Sequence, residues 1–130
     1  MSYWPAVKIG LQMKRRFWEE DERIYGGITY TDLPIRQISY PSADLATKGK
    51  GVLLGAYVIG EAAALEFTSL SPEERVRWAV KFGSQIHPQY EQEFENGVAV
   101  GWHRQPWILG CAAAWTDTLR RQHFENLRQA

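Results

Sequence analysis

Residues 6–13 read AVKIGLQM and decide the fold class, because bulky side chains alternate with small or polar ones along them. Every odd-numbered position from Val7 to Met13 is bulky and apolar, which is the period of a half-buried strand. Lys8 therefore stands on the face opposite the core, between Ala6 and Gly10, where a flat, bulky group could lie beside its ammonium. The alternative interpretation is an exposed strand lysine whose neighbours are small by chance.

Three more stretches have strand character. Residues 36–40 form a short strand that Pro41 stops, and residues 98–103 alternate bulky with small side chains. Residues 52–59 are apolar at nearly every position, which predicts a strand covered on both faces. Tyr57 lies within that strand, and a buried tyrosine hydroxyl needs a hydrogen-bond partner, which in an ordinary core is a backbone carbonyl.

Helix signals are confined to the second half of the chain. The run Ser71-Pro72-Glu73-Glu74 combines a serine cap, a proline in the first turn and a glutamate that can bond back to the cap amide. It predicts a helix whose apolar stripe over residues 76–83 packs on the core and which ends before Pro88. Residues 117–129 predict a short polar helix.

Two segments read as loops. Residues 14–22 carry a basic triplet followed by an acidic run, which predicts a solvated loop with paired charges. Residues 104–110 predict an ordered loop in which Trp107 and the nearby Trp102 are shielded from water.

Composition excludes several function classes. The chain has 130 residues with 15 basic and 15 acidic side chains, so its formal net charge is zero and it forms one domain at most. It lacks the cationic excess typical of nucleic-acid or anionic-membrane binding. One cysteine and three dispersed histidines support neither a disulfide nor a metal site. There is no signal or membrane segment, so a soluble chain of unknown compartment is expected.

These elements predict an α+β fold, a mixed β-sheet with flanking helices, over residues 1–130 as a single partial domain. Beyond that, the chain resembles the central part of flavin-containing L-amino-acid oxidases, a branch of the flavin monoamine oxidase superfamily. The resemblance is carried by RFWEED at 16–21, the glycine pair 26–27, TDLP at 31–34, YP at 40–41, GVLLGAY at 51–57, and Trp102, Trp107 and Gly110. It covers residues 8–115 and implies part of a substrate-binding domain and one wall of a flavin site.

The resemblance also implies roles for single residues. Lys8 matches a strand lysine that holds a water beside flavin N5, the atom that takes hydride from the substrate Cα. Tyr57 matches a tyrosine that helps to hold the substrate carboxylate, whose other partner is an arginine in the earlier half of these proteins. Ile59 points to the same face as Tyr57 and is expected to line the side-chain pocket, which favours apolar substrates. The positions expected to pack near the flavin are Trp102, Trp107 and Gly110.

The cofactor implied is FAD. Cys111 stands nine residues after Trp102, the offset at which monoamine oxidases bond a cysteine covalently to their flavin. Because the amino-acid oxidases hold FAD without a covalent bond, we expect non-covalent FAD with the Cys111 thiol merely adjacent. The chain has no dinucleotide-binding fingerprint, so FAD is expected to need the remaining segments of the oxidase. The chain alone is expected to be inactive, and the full-length protein to be oligomeric.

The implied reaction converts an L-amino acid to a 2-oxo acid with release of ammonia and hydrogen peroxide. Two alternatives stay open. One is a monoamine or polyamine oxidase, although Ala112 stands where monoamine-type enzymes place a tyrosine of their aromatic cage. The other is a non-catalytic remnant or interaction module whose exposed apolar surface binds another chain.

Overall fold

The computed structural model describes residues 2–129. Its elements in chain order are β1 (Ala6–Met13), α1 (Phe17–Glu20), β2 (Gly27–Tyr30), β3 (Gln37–Tyr40), β4 (Gly51–Ile59), α2 (Glu61–Ser69), α3 (Pro72–Gly83), α4 (Tyr90–Glu93), β5 (Phe94–Gly101), a 3₁₀ turn (Trp102–Arg104) and α5 (Asp117–Arg128). The four predicted strands and two predicted helices are confirmed. The sequence patterns did not indicate α1, β2, α2 or α4.

The described strands form one sheet in the order β2-β3-β4-β1-β5. Every pairing among them is antiparallel, so the α+β class is confirmed and the expectation of a mixed sheet is wrong for residues 2–129. The physical reason is that parallel neighbours need a crossover that brings the chain back to the same end of the sheet. Here the chain instead enters each strand from the end opposite to its neighbour's start.

One face of the sheet is covered by helices. The odd-numbered residues of β1 are fully buried there, against Phe67 of α2 and Ala79 of α3. Over residues 97–101 of β5 that face carries only small side chains, and a Cβ on Gly97 would lie 2.7 Å from Val76 of α3. The predicted capping box holds the start of α3, because the Ser71 hydroxyl accepts from the Glu74 amide and the Glu74 carboxylate accepts from the Ser71 amide.

The other face is open. We call it the open face, and it consists of Lys8, Gly10, Gln12, Val52, Leu54, Tyr57, Ile59, Val98 and Val100. Val98 is 63% exposed and Val52 55% exposed. The prediction that residues 52–59 are covered on both faces is therefore wrong within the described chain, because α2 and α3 both pack on the opposite side.

A closed cluster of Phe17, Trp18, Tyr40, His87 and Tyr90 fills the core beside β3. The His87 ring stacks on Tyr90 with 6.0 Å between ring centroids, and Phe17 meets both edge-on. The Tyr40 hydroxyl hydrogen-bonds with His87 Nε2 at 2.5 Å and with the Thr29 hydroxyl at 3.0 Å. Burial raises the pKa of Tyr40 and lowers the pKa of His87, so both groups are held neutral.

The charged segment after β1 is not the solvated loop that its composition predicts. It forms α1, and the side chains of Arg16 and Glu19 are only 6% and 5% exposed while they form an ion pair. This bond to the guanidinium lowers the pKa of Glu19. Glu19 also accepts from the Ala46 amide at 3.0 Å, and Arg16 donates to the Ala43 carbonyl at 3.0 Å. The predicted pairing of opposite charges is confirmed, but here it fastens the loop before β4.

The loop after the 3₁₀ turn returns to the start of the chain. The Cys111 amide donates to the Trp4 carbonyl at 2.9 Å, and the Trp4 amide donates to the Ala112 carbonyl at 2.8 Å. Gly110 has φ of 155°, and a Cβ there would lie 2.6 Å from the Trp4 oxygen, so only glycine fits. Over residues 2–129 no helix is long and apolar enough to cross a bilayer.

Candidate functional site

The ends of three strands bring the predicted site residues together. Lys8 of β1 pairs directly with Tyr57 of β4 on one side and with Val100 of β5 on the other. Directly opposed residues in an antiparallel pair project from the same face. Ile59 opposes Ala6, one step further along this face, so it shares the open face with Tyr57 as predicted.

The Lys8 ammonium lies over the Tyr57 ring, 4.7 Å from its centroid. Cation–π contact of this kind holds an ammonium without neutralising its charge. Within residues 2–129 Lys8 forms no salt bridge, although Arg15, Arg16 and Lys50 do. Lys8 is therefore the one charged side chain among the open-face residues, and it has no anionic partner in the described chain.

An ordinary core tyrosine donates its hydroxyl to a backbone carbonyl, but Tyr57 is half-buried, and in the described chain the tyrosine hydroxyl bonds belong to Tyr40. Burial raises the pKa of Tyr57, and the nearby Cys111 thiol adds to the shift. A raised pKa keeps the phenol protonated at neutral pH, and a protonated phenol donates well to a carboxylate.

Gly10 opens a trough in the middle of the open face. A Cβ there would lie 3.6 Å from Val98 and 3.9 Å from Val52, the residues that flank it on the neighbouring strands. The trough has a volume of about 160 Å³ and is lined by Gly10, Gln12, Val52, Asn96, Gly97 and Val98. Its position beside Lys8 agrees with the bare surface that the alternation of residues 6–13 predicts.

The 3₁₀ turn at the end of β5 carries Trp102, and its support was not visible in the sequence. His103 Nε2 lies 3.2 Å from the Thr68 hydroxyl at the end of α2. The buried Arg75 caps the same helix end by donating to the carbonyls of Phe67 and Thr68. The sequence carried no clear signal for this link, because α2 has no side-chain cap that would mark it as a helix.

Trp107 is 99% exposed, so the prediction that both tryptophans are shielded from water is wrong for this residue in the described chain. The loop turns its ring outward at a positive φ of 71°, and Leu109 has φ of 61°. Gly110 is buried against the backbone of Trp4, and Cys111 is exposed. The structure thus brings Lys8, Tyr57 and Ile59 together on the open face and leaves Trp107 exposed to solvent.

These residues can support one face of a flavin but cannot enclose it. The exposed valines, the bare Gly10 and the free ammonium offer a flat apolar support with one positive charge. Trp102 has a buried indole N–H with no hydrogen-bond partner in the described chain, a polar atom left unsatisfied at the same end. No cavity described here encloses a three-ring cofactor, and residues 2–129 contain no cluster of three or more His, Cys, Asp or Glu suited to a metal ion.

Comparison with known proteins gives one consistent result. The family model described as flavin containing amine oxidoreductase matches residues 1–130. The chain is 36% identical to the putative L-amino-acid oxidase YobN of Bacillus subtilis, over 85% of this chain and 23% of that protein. It is 35% identical to the L-amino-acid oxidase of Siganus canaliculatus, over 99% of this chain and 24% of that protein. It is 48% identical to the L-amino acid oxidase Cdc18 of Crotalus durissus cumanensis, over 95% and 25%. The chain spans about a quarter of the length of these relatives.

Proposed function

Since the chain belongs to the family of flavin-containing amine oxidoreductases, we propose that it works as part of an FAD-dependent oxidase that deaminates L-amino acids. In this proposal the open face is one wall of the flavin and substrate site, within a substrate-binding domain. The observation that carries it is the pairing of the free Lys8 ammonium with Tyr57 on an apolar face that the described chain leaves uncovered. Bound FAD would take up hydride from the substrate Cα, and oxygen would be reduced to hydrogen peroxide.

Lys8 holds and orients a water molecule in this site. Its contact with the Tyr57 ring fixes the ammonium without consuming its hydrogen-bond donors, so the donors stay available to water. An ammonium aimed at the place where charge changes during reaction acts mainly on the transition state.

Tyr57 donates to the substrate carboxylate, because burial raises the pKa of its phenol and no group of the described chain takes up its hydroxyl. Ile59 lies on the same face and forms part of the side-chain pocket, which favours apolar amino acids. The names of the relatives support amino acids over amines as substrates. The remaining segments of the oxidase supply the rest of the FAD site, and FAD is held without a bond to Cys111.

The direct test grafts residues 2–129 onto the L-amino-acid oxidase of Siganus canaliculatus in place of the matched quarter of that protein. We expect the graft to bind FAD and to form hydrogen peroxide and a 2-oxo acid from L-amino acids. A graft that oxidises primary amines and leaves amino acids unreacted would favour the amine-oxidase alternative. A folded, yellow graft with no turnover would favour a non-catalytic remnant.

In the same graft, Lys8→Met should slow the reductive or oxidative half-reaction while FAD and amino-acid binding stay close to normal. Loss of a charge-assisted contact of ~1.5–3 kcal/mol corresponds to a slowing of roughly ten- to two-hundredfold. Stopped-flow absorbance measures each half-reaction separately. The role of Lys8 would be refuted by unchanged rates in both.

A further inference from the structure

β5 is the last strand of the described sheet, and over residues 2–129 no strand pairs with its outer edge. Its second half, residues 97–101, reads GVAVG and contains no charge, no proline and no bulge; Val98 is exposed there, Gly97, Ala99 and Val100 are half-buried, and Gly101 is buried. Proteins normally protect a free strand edge with charges, proline or a bulge, because an unpaired edge is a template for another strand. On β5 the charge of Glu95 and the register shift at that residue protect only the start of the strand, and residues 97–101 carry neither.

The direction of the free backbone groups follows from the register. The Gly60 amide donates to the Pro5 carbonyl, so Pro5 and the odd-numbered β1 residues that follow direct their backbone groups to β4. The even-numbered β1 residues then bond to β5, which agrees with donation from the Lys14 amide to the Glu93 carbonyl. Val98 and Val100 therefore face β1 with their N–H and C=O groups.

Gly97, Ala99 and Gly101 consequently direct their backbone groups outward. An independent observation agrees: the Gly97 amide donates to the side-chain oxygen of its neighbour Asn96 at 2.8 Å, as an amide outside the ladder can. The Ala99 amide and carbonyl stand in the middle of the free edge.

A groove runs along this edge. It has a volume of about 370 Å³ and is lined by Pro72, Glu73, Val76 and Arg77 of α3 and by residues 94–99. The small residues of β5 let α3 approach closely, so the edge and the helix flank the same groove. An edge strand beside a helix is the arrangement that captures extended peptides by strand addition.

We propose that an extended polypeptide segment from the remaining part of the oxidase pairs with the outer edge of β5 in this groove. The proposal rests on the proposed function, since the chain spans about a quarter of the length of its relatives. The backbone of the segment completes the ladder at Ala99, and its alternate side chains contact Val76 on the helix side and Val98 on the open side. The open face would thereby be extended by one strand.

The test uses the full chain and a short synthetic peptide of alternating valine and threonine with a lysine at each end. We expect saturable binding, measured by fluorescence anisotropy, and slower hydrogen exchange of the Ala99 amide in the complex. The control peptide carries N-methyl groups on the amides along one edge and should bind at least about tenfold more weakly, because it cannot donate along that edge. Equal binding of the two peptides, or an unprotected Ala99, would overturn the proposal.

Two matched variants separate the edge from the open face. Val98→Lys places a charge on the edge strand and should weaken peptide binding about tenfold. Val52→Lys makes the same change at similar exposure on β4 and should leave binding unchanged; equal weakening by both variants would argue against edge pairing.

Lys8→Met should also leave peptide binding unchanged, so failure of the proposed catalytic role would be seen in the graft and not here. Sedimentation of the chain without peptide tests whether a second copy of the chain occupies the edge. A dimer that protects Ala99 without peptide and dissociates in Val98→Lys would make a second copy the occupant and overturn the assignment to an oxidase segment.

Discussion

In the closed cluster, rings pack against rings and the Tyr40 hydroxyl bonds to His87 and Thr29. On the open face, the half-buried Tyr57 ring contacts the Lys8 ammonium, and its hydroxyl forms no hydrogen bond within the described chain. Each region contains a tyrosine in contact with a nitrogen-bearing side chain, His87 in the closed cluster and Lys8 on the open face. The rings of the closed cluster are buried against one another, so its residues contribute to stability, although the Trp18 indole N–H and the Tyr90 hydroxyl find no hydrogen-bond partner in the described chain. In the described chain the open face keeps exposed apolar area and leaves the Tyr57 hydroxyl unbonded, and this is the surface that the proposed oxidase site would use.

The largest contrast is expected between two tryptophans. Trp18 is fully buried in the closed cluster, so Trp18→Ala should lower the free energy of unfolding by ~3–5 kcal/mol through lost burial and the cavity left behind. Trp107 is 99% exposed, and Trp107→Ala should change that free energy by less than about 0.5 kcal/mol. Urea denaturation followed by circular dichroism measures both. A comparable loss in the two variants would mean that the loop carrying Trp107 packs on the chain.

The second contrast concerns two neighbouring glutamates of α1. Glu19→Gln leaves the buried Arg16 without an anionic partner and should cost ~3 kcal/mol, because a buried charge is then uncompensated. Glu20 pairs with Arg15 where both side chains are 33–44% exposed, so Glu20→Gln should cost less than about 1 kcal/mol. The free energy of unfolding in urea distinguishes them. Equal, small effects would contradict a structural role for the buried pair.

The third contrast uses one substitution at two tyrosines. Tyr40→Phe removes two hydrogen bonds and leaves His87 and Thr29 unpaired, which should cost ~1–3 kcal/mol of stability. Tyr57→Phe removes a hydroxyl without a partner in the described chain and should leave stability within about 0.5 kcal/mol. In the grafted oxidase Tyr57→Phe should instead raise KM with little change in kcat, because the carboxylate is charged throughout the reaction. Lost stability with normal KM would identify Tyr57 as a core residue.

The sequence predicted the elements that have local signals and missed those that depend on tertiary packing. β1 and α3 were predictable from local signals, since alternation over residues 6–13 and the Ser71–Glu74 capping box need no tertiary partner. α2 begins after Gly60 without a side-chain cap, and α4 has four residues, so both depend on packing. Burial of Arg16 and Glu19 was not predictable, because the same charge pattern describes a solvated loop until the loop over Ala43 and Ala46 closes on it.

The site was predictable in part. The strand period alone put Lys8 and Ile59 on their observed face, but which face is uncovered depends on where the helices pack. Counting aromatic residues could not tell Trp18 from Trp107, because burial is decided by the chain around each ring. The roles of Lys8, Tyr57, Ile59, Trp102, Trp107, Gly110 and Cys111 in binding or catalysis remain predictions that the graft experiments address.

The smallest expected effect is a pH dependence of stability from the closed cluster. Burial lowers the pKa of His87 below its ordinary value of 6.5, and Glu22, the facing charge, only partly opposes this shift. The unfolded chain therefore binds the proton more readily than the folded chain does. Stability from this group is complete above pH of about 6.5 and falls as the pH drops from there towards the lowered pKa.

His87→Gln keeps an acceptor for Tyr40 and removes the titration, so the slope of unfolding free energy between pH of about 7.5 and 5.5 should become shallower than in the parent chain. The carboxylates with lowered pKa, Glu19 and Glu95 among them, lose their contribution only below their ordinary value of 4.5, outside this range. Urea midpoints across the range give the slope, and residual slope in the variant belongs to other groups. Two results would contradict this account: a parent chain that becomes more stable on acidification, or a variant that keeps the full slope. Either would mean that His87 is not a buried, neutral partner of Tyr40 in the closed cluster.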